Sequence, residues 1–211
     1  MKKYIIIGVI ALAFIIYVII INSGSSDYIV IDNITYEETK AKTNLVKIDV
    51  KDKGIIIAEL YPEIAPITVQ NFKNLVENKF YDGLIFHRVI KDFVIQTGDP
   101  SGTGNGGSAQ TIKGEFAQNG VKNTLSHTRG VLSMARRGGN PETAATMDSA
   151  SSQFFIVHNT STDLDGRYAG FGKVIHGIEV VDAVAEEKTN SNDKPLVNQV
   201  INSIRFVKEV K

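Results

Sequence analysis

Residues 86–104 read FHRVIKDFVIQTGDPSGTG. A short apolar run carries His87 and Arg88, breaks at Lys91–Asp92, and resumes with Phe93 and Gln96. Side chains alternate along a strand, so Phe86, Arg88 and Ile90 are expected on one side. Phe93 and Gln96 lie on the next strand, beyond the turn, which lets one guanidinium, one amide and one phenyl ring share a face. The bland alternative is a solvated strand arginine and a core phenylalanine. Continuing to residue 107, the stretch TGDPSGTGNGG spells G-x-G-x-x-G at Gly102, Gly104 and Gly107. That fingerprint holds a pyrophosphate only where a helix opens directly from it. Here SAQTIKGEFAQNG follows, with Gly114, Gly120 and no helical apolar period, and no Lys-Ser/Thr pair succeeds the glycines. The glycines read as a surface loop that lets backbone lie close to something, not as a nucleotide site.

Around this stretch the chain is mostly strand-like. LVKIDVKDKGIIIAEL makes two strands about Asp52-Lys53-Gly54, a hairpin signal. GLIFHRVI, FVIQTGD, GVLSMAR, SQFFIVH and YAGFGKVI are short, rich in β-branched and aromatic residues, and separated by turn residues. LVNQVINSIRFVKEV reads as a closing strand. Only two helices show the 3.6-residue period. APITVQNFKNLVENKFY has Pro66 in its first turn, Ile67, Phe72, Leu75 and Val76 on one side and Asn78 as its stop. GIEVVDAVAEE starts near Gly177 with Ile178, Val181 and Val184 or Ala185 on one face. Many closely spaced strands and two helices predict a β-barrel or sandwich with helices at its ends, not a doubly wound α/β sheet. Residues 101–108 and 137–152 are loops by composition.

The 211 residues suit one domain plus an appendage, with 43% hydrophobic residues for a core. Basic and acidic residues balance at 23 each, so no net field attracts nucleic acid. The absence of cysteine removes disulfide, thiolate and cysteine-ligated zinc chemistry. His87, His127, His158 and His176 fall in no local metal spacing, and no G-x-S-x-G elbow or carboxylate pair stands out. No metal and no cofactor are expected.

The N-terminus differs from the rest. Lys2 and Lys3 precede an uncharged, mostly apolar run, Tyr4 to Ile21. As a helix it would span ~27 Å, against a hydrocarbon core of ~30 Å. It is read as a transmembrane anchor over residues 1–21, the alternative being a signal segment that is cleaved. The lysines favour a cytoplasmic N-terminus, with the rest of the chain outside the cytoplasm. Residues 22–44 read as a polar tether, and 45–211 as the folded domain.

SSQFFIVHN repeats the first theme, with Gln153 and Phe155 on one face of a strand. Together, FHRVIKDFVIQTGDPSGTG, GVLSMAR, SSQFFI and LDGRYAGFGKVIHGIEVVD resemble, in order, the signatures of the cyclophilin-type peptidyl-prolyl cis-trans isomerases, over residues 45–208 or so. The resemblance implies a closed eight-stranded antiparallel β-barrel capped by two α-helices, and a monomeric enzyme acting on proline-containing polypeptides. It implies that Arg88 is the catalytic arginine, that Phe93 and Phe155 line a proline pocket, and that Gln96 and Gln153 help to place the peptide. Leu164 matches a pocket leucine, and Ala135 and Arg136 match a strand edge that binds substrate backbone. Gly102 and Thr103 match the loop bordering a neighbouring pocket. Four positions depart from the family pattern: Asp163 replaces a frequent tryptophan, Tyr168 a histidine, Val94 a methionine and Arg136 an asparagine. These lie at the pocket wall and argue against strong cyclosporin binding. A non-catalytic cyclophilin-like module that only binds proline segments is the competing reading, and retention of Arg88 beside Phe93, Gln96 and Phe155 favours the enzyme. The Lys-, Ile- and Asn-rich residue usage reads as bacterial.

Overall fold

The computed structural model describes residues 3–8, 17–22 and 27–210, with side chains from residue 28 onward. All its strands belong to one antiparallel sheet. β5 (Leu45–Val50) and β6 (Gly54–Leu60) form the expected hairpin, with Asp52 in the left-handed region at its turn. Helix α1 (Pro66–Glu77) follows, then β7 (Arg88–Ile90), β8 (Val94–Thr97) and β9 (Val131–Met134). A four-residue helix α2 (Ala144–Met147) sits inside the 137–152 loop, ahead of β10 (Phe154–Val157), β11 (Ala169–His176), α3 (Ile178–Ala185) and β12 (Ile201–Val210). The eight strands β5 to β12 lie in the order β12-β5-β6-β11-β9-β10-β8-β7. The chain just before β7 bonds to the start of β12: Phe86 N–H donates to Gln199 O at 2.9 Å, Ile201 N–H to Leu84 O at 2.8 Å, and Ile85 bridges Val200. These bonds join the two ends of the eight-stranded order.

The interior is filled from alternating strand positions and from the helices. Val46, Ile48, Ile56, Ala58, Leu132, Phe154, Ile156 and Phe171 point inward, and the Phe72 ring of α1 meets Phe154 edge-on at 5.3 Å. On α1 the buried apolar stripe is Val69, Phe72 and Val76. Ile67, expected on that face, is 45% exposed, because it lies about 140° around the helix from Phe72. The first turn of α1 has no side-chain cap of its own. The buried Glu115 supplies one from outside, accepting from Ile67 N–H at 3.1 Å and Thr68 N–H at 2.8 Å. Phe86 also departs from expectation. It enters the core while Arg88 lies outside, because residues 84–86 pair with the closing strand and the alternation of β7 begins only at Arg88.

The N-terminal region differs from the sequence reading in two places. The segment read as a tether contains a hairpin, β3 (Asp27–Ile31) and β4 (Ile34–Glu38), which pairs along β12. Its turn residues Asp32 and Asn33 both have positive φ, 51° and 64°, the type I′ geometry that matches strand twist. Ile29, Ile31 and Tyr36 pack with Ile55, Ile57 and Val207 in a second apolar cluster on the outside of the barrel. Upstream, β1 (Lys3–Gly8) and β2 (Tyr17–Asn22) are strands paired with each other, and β2 also pairs with β3. This differs from the single helix expected over 1–21. β-branched Ile and Val favour extended backbone when a strand partner is at hand. Residues 9–16 of that run lie outside the described residues, and among the described residues no helix is long and apolar enough to cross a membrane.

Candidate active site

Four strands, β7, β8, β10 and β9, present their outward-facing residues as one surface. Arg88 lies opposite Gln96, Gln96 opposite Phe155, and Phe155 opposite Ser133. Directly opposed residues share a face of the sheet, so register alone sets guanidinium, amide, phenyl ring and hydroxyl in a row. Beside the row lies a third apolar cluster, separate from the barrel core: Val94, Phe155, Leu164, Val131 and Val157, with Phe93, Ala135, Tyr168 and Leu125 packed against it. Six of the residues named from sequence, Phe93, Val94, Ala135, Phe155, Leu164 and Tyr168, thus meet in one place.

The guanidinium is held by two neighbours. Arg88 Nη1 donates to Gln96 Oε1 at 3.3 Å, and Arg88 Nε lies 3.6 Å from Asp193 Oδ2. Gln96 Nε2 donates to Gln153 Oε1 at 2.8 Å, and Gln153 Nε2 donates to Gly104 O at 2.9 Å and Gly106 O at 2.7 Å. The polarity of this chain has one consistent direction. Arginine can only donate, so Gln96 must turn its oxygen to Arg88, and each amide nitrogen then points onward to an acceptor. Arg88 is tied in this way to the glycine-rich loop.

That loop is shaped from beneath. Asp99, 1% exposed, accepts from Ser101 N–H at 2.7 Å, Thr103 N–H at 3.0 Å and Gly104 N–H at 2.6 Å. Burial alone would raise its pKa, but these hydrogen bonds outweigh burial and hold it well below the usual carboxylate range. The amides that a pyrophosphate would need are turned inward onto Asp99, and no helix opens from Gly107.

The wall behind the phenyl ring is polar, with His127 and Ser133 buried and Asp165 at the surface. His127 stacks on Phe155 with centroids 6.2 Å apart, its Nδ1 lies 2.8 Å from Asp165 Oδ1, and its Nε2 lies 2.9 Å from Ser133 Oγ. A carboxylate only accepts, so Nδ1 carries the proton and Nε2 accepts from the serine hydroxyl. Burial lowers the pKa of His127 despite the opposing pull of Asp165, keeping the ring neutral near pH 7. Tyr168 meets Phe155 edge-on at 5.7 Å.

This strand register, its arginine-amide-phenyl row and its apolar wall are found on a sheet whose sequence matches the family model "Cyclophilin type peptidyl-prolyl cis-trans isomerase/CLD" over residues 45–206. The chain belongs to the cyclophilin family. It is 45% identical over 144 residues to peptidyl-prolyl cis-trans isomerase ppi1 of Schizosaccharomyces pombe, spanning 68% of this chain and 86% of the relative. It is 41% identical over 157 residues to peptidyl-prolyl cis-trans isomerase-like 1 of Aspergillus fumigatus, spanning 74% and 91%. The crystal structure of a cyclophilin-type isomerase from Cryptosporidium parvum superposes with a TM-score of 0.68 at 32% identity, covering 77% of this chain and 96% of that one. These relatives are eukaryotic.

Within this cyclophilin, three of the residues named from sequence, Arg136, Gly102 and Thr103, lie apart from the apolar cluster. The Arg136 side chain is only 2% exposed. It pairs with Glu142 at 2.8 Å and lies over the Phe116 and Tyr168 rings at 5.1 and 5.0 Å, so it braces Tyr168. Gly102 and Thr103 do not line the polar cleft beside the site. Gly102 faces the other way, its carbonyl accepting from Lys194 Nζ at 3.0 Å, and the loop residues that reach the cleft begin at Gly104. Three contributors were not legible in the sequence: His127, Ser133 and Asp193. Each reaches the site only through folding. Asp193 is brought there by its carbonyl, which accepts from Val89 N–H at 2.7 Å.

Proposed function

We propose that this cyclophilin isomerises X–Pro bonds in polypeptides, as a monomer, on the outer face of β7, β8, β10 and β9, with Arg88 as the catalytic residue. The carrying observation is the cross-strand row Arg88–Gln96–Phe155 flanked by Phe93, Leu164 and Tyr168. An imide bond resists rotation by ~18–20 kcal/mol because its resonance must be broken. At the twisted transition state the proline nitrogen becomes pyramidal and gains a basic lone pair. A guanidinium N–H directed at that lone pair stabilises the twisted form more than either planar form, and only such a difference accelerates the step. Arginine suits the task because it stays charged and offers several donors in a rigid fork. Phe93, Phe155 and Leu164 grip the pyrrolidine ring and exclude water, which strengthens the new hydrogen bond. Gln96 fixes the guanidinium plane. No bond is made or broken, so the reaction needs neither nucleophile nor proton carrier. An acceleration of 10⁴–10⁵ needs ~5.4–6.8 kcal/mol, within reach of one charge-assisted contact plus a fixed ring.

The C. parvum enzyme was also crystallised in the presence of the dipeptide Ala-Pro, which supports a proline-containing ligand for this fold. The test is cis-to-trans exchange of an X–Pro peptide with the purified chain and its Arg88→Ala variant. Exchange no faster than in buffer, from a folded protein that still binds the peptide, would leave a binding module in place of the enzyme.

We further propose that the apolar run Tyr4–Ile21 attaches the domain to a membrane or directs its export, with the catalytic domain outside the cytoplasm and its clients among extracytoplasmic proteins. The motivating features are the run's length and the two preceding lysines. In hydrocarbon an open strand edge is untenable, so an inserted run would be helical. Residues 22–26 would then be all that separates it from β3, at most about 18 Å of extended chain. Protease added to intact cells should degrade the domain of the anchored protein; protection until lysis would refute this placement.

A further inference from the structure

Phe155 sits in a strand ladder, whereas Phe93 lies in the turn between β7 and β8. Its place in the pocket therefore depends on what grips that turn. The Phe93 carbonyl accepts from His158 N–H at 2.8 Å. One residue earlier, Asp92 N–H donates to His158 Nδ1 at 2.9 Å. His158 follows β10 directly and is 8% exposed. One residue thus holds the turn twice, through its backbone and through its ring. Asp92 has a φ of 61°, a left-handed conformation that a non-glycine residue keeps where its surroundings fix it. A backbone amide only donates, so Nδ1 is the acceptor and the ring proton sits on Nε2. Nε2 lies 3.2 Å from Asp182 Oδ1 on α3. Asp182 Oδ2 accepts from Arg129 Nη2 at 2.7 Å, and Arg129 Nη1 donates to the His158 carbonyl at 2.8 Å. The charged groups facing the ring are Asp182, Arg129 behind it, and Asp92, whose Oδ1 is 4.0 Å from Nδ1. Lys91, on the same turn, pairs with Glu186 beyond the end of α3 at 2.9 Å.

We infer that His158 is a positioning residue for the proline pocket: its ring and backbone fix the Asp92–Phe93 turn, and with it the Phe93 side chain, against the cluster of Val94, Phe155 and Leu164. The inference rests on the isomerase reading of that pocket. His158 acts through Phe93, not on the substrate. Phe93 grips the pyrrolidine ring alike in the planar and twisted forms, so loosening it weakens both. The effect therefore falls on KM and leaves kcat nearly unchanged. The same arrangement ties the pocket to pH. An imidazolium has only donors, so a protonated Nδ1 would meet Asp92 N–H where an acceptor stood. That bond is then lost, and Nδ1–H turns to the Asp92 carboxylate. Protonation of His158 releases the turn and raises KM.

The experiment uses the full chain and one X–Pro peptide. Exchange rates by NMR give kcat and KM, and peptide shift changes give affinity independently of turnover. At about pH 8, His158→Ala should raise KM about five-fold, the scale of one neutral hydrogen bond, with kcat within about two-fold of wild type. His158→Asn sets an amide oxygen where Nδ1 stood and cannot be protonated. Its KM should return to within about two-fold of wild type. Between about pH 8 and 5, where histidines titrate, wild-type KM should rise with the midpoint shown by the His158 ring signals. The KM of His158→Asn should rise less, because it keeps only the contribution of the other histidines, which both proteins share. An unchanged KM in His158→Ala, a His158→Asn protein no better than His158→Ala, or the same pH profile in His158→Asn and wild type would each overturn the assignment. Should His158→Ala fail to fold, the comparison of wild type with His158→Asn across pH decides alone. A wild type that turns over no peptide would instead strike the isomerase reading, and the affinity ratios would still decide the role of His158.

Discussion

Replacing Arg88 by alanine separates catalysis from stability more sharply than any other single change. The side chain is 40% exposed, and its described contacts are a 3.3 Å hydrogen bond to Gln96 and a 3.6 Å approach to Asp193. Exposed pairs of this kind contribute about 0.2–1 kcal/mol, so Arg88→Ala should lower Tm by no more than about 4 °C. The catalytic loss is of another order. Removing one preorganised donor aimed at a transition-state charge costs about 2.7–4 kcal/mol, or 10²–10³ in rate. The loss should fall on kcat, because Phe93, Phe155 and Leu164 still hold the ring in the ground state. Arg88→Lys keeps the charge but not the fork, and most of the loss should remain. NMR exchange on a peptide with resolved cis and trans signals measures both parameters without a coupling protease. An Arg88→Ala protein within about five-fold of wild type in kcat, with Tm nearly unchanged, would refute the assignment; so would a loss expressed wholly in KM.

Three further outcomes follow from the same geometry. Gln96→Glu still accepts from Arg88 but sets a carboxylate against Gln153 Oε1, where a donor stood at 2.8 Å, so the chain to Gly104 breaks and kcat/KM should fall roughly ten-fold, by ~1–3 kcal/mol at most; an unchanged rate would show that the amide chain does not orient Arg88. Tyr36→Ala empties a site 2% exposed between the hairpin and β6, and should cost about 3–5 kcal/mol in urea unfolding while leaving the isomerase rate of the folded protein intact; a change under about 1 kcal/mol would restore residues 27–38 to the status of a tether. Burial holds His87 and His127 below the ordinary histidine value of 6.5. The unfolded chain therefore binds more protons in acid, so the stability they contribute is complete above pH 6.5 and declines as pH falls toward their folded values. Urea midpoints from pH 8 to 5 should drop below about 6.5, and a midpoint that rises over that interval would contradict the sign.

Much of the site was legible because it is written in strand alternation. Phe93, Gln96, Gln153 and Phe155 could be set on faces from period-two reasoning, and the motif order supplied Leu164, Ala135 and Tyr168. What failed did so where a second element intervenes. The alternation of Phe86 with Arg88 broke because residues 84–86 bond to the closing strand. The Arg136 guanidinium is taken up by Glu142, in a loop of irregular path that no local pattern announces. The hairpin at 27–38 had left one sign in the sequence, the unbroken Ile55-Ile56-Ile57, since a strand apolar on both faces needs a cover on both.

The strand-rich class, the two helices, the unsuitability of the glycine-rich loop for a nucleotide and the arginine, amide and aromatic candidates could all be read from the chain alone. These follow from local periodicity, turn chemistry and ordered motifs, all carried within short windows of chain. Folding was needed to show that Arg88, Gln96, Phe155 and Ser133 form one row, that His127 and Asp165 stand behind it, and that Asp193 reaches the guanidinium. Those depend on sheet register and loop paths between residues as many as 105 positions apart, as Arg88 and Asp193 are, and no local pattern encodes which strand lies beside which.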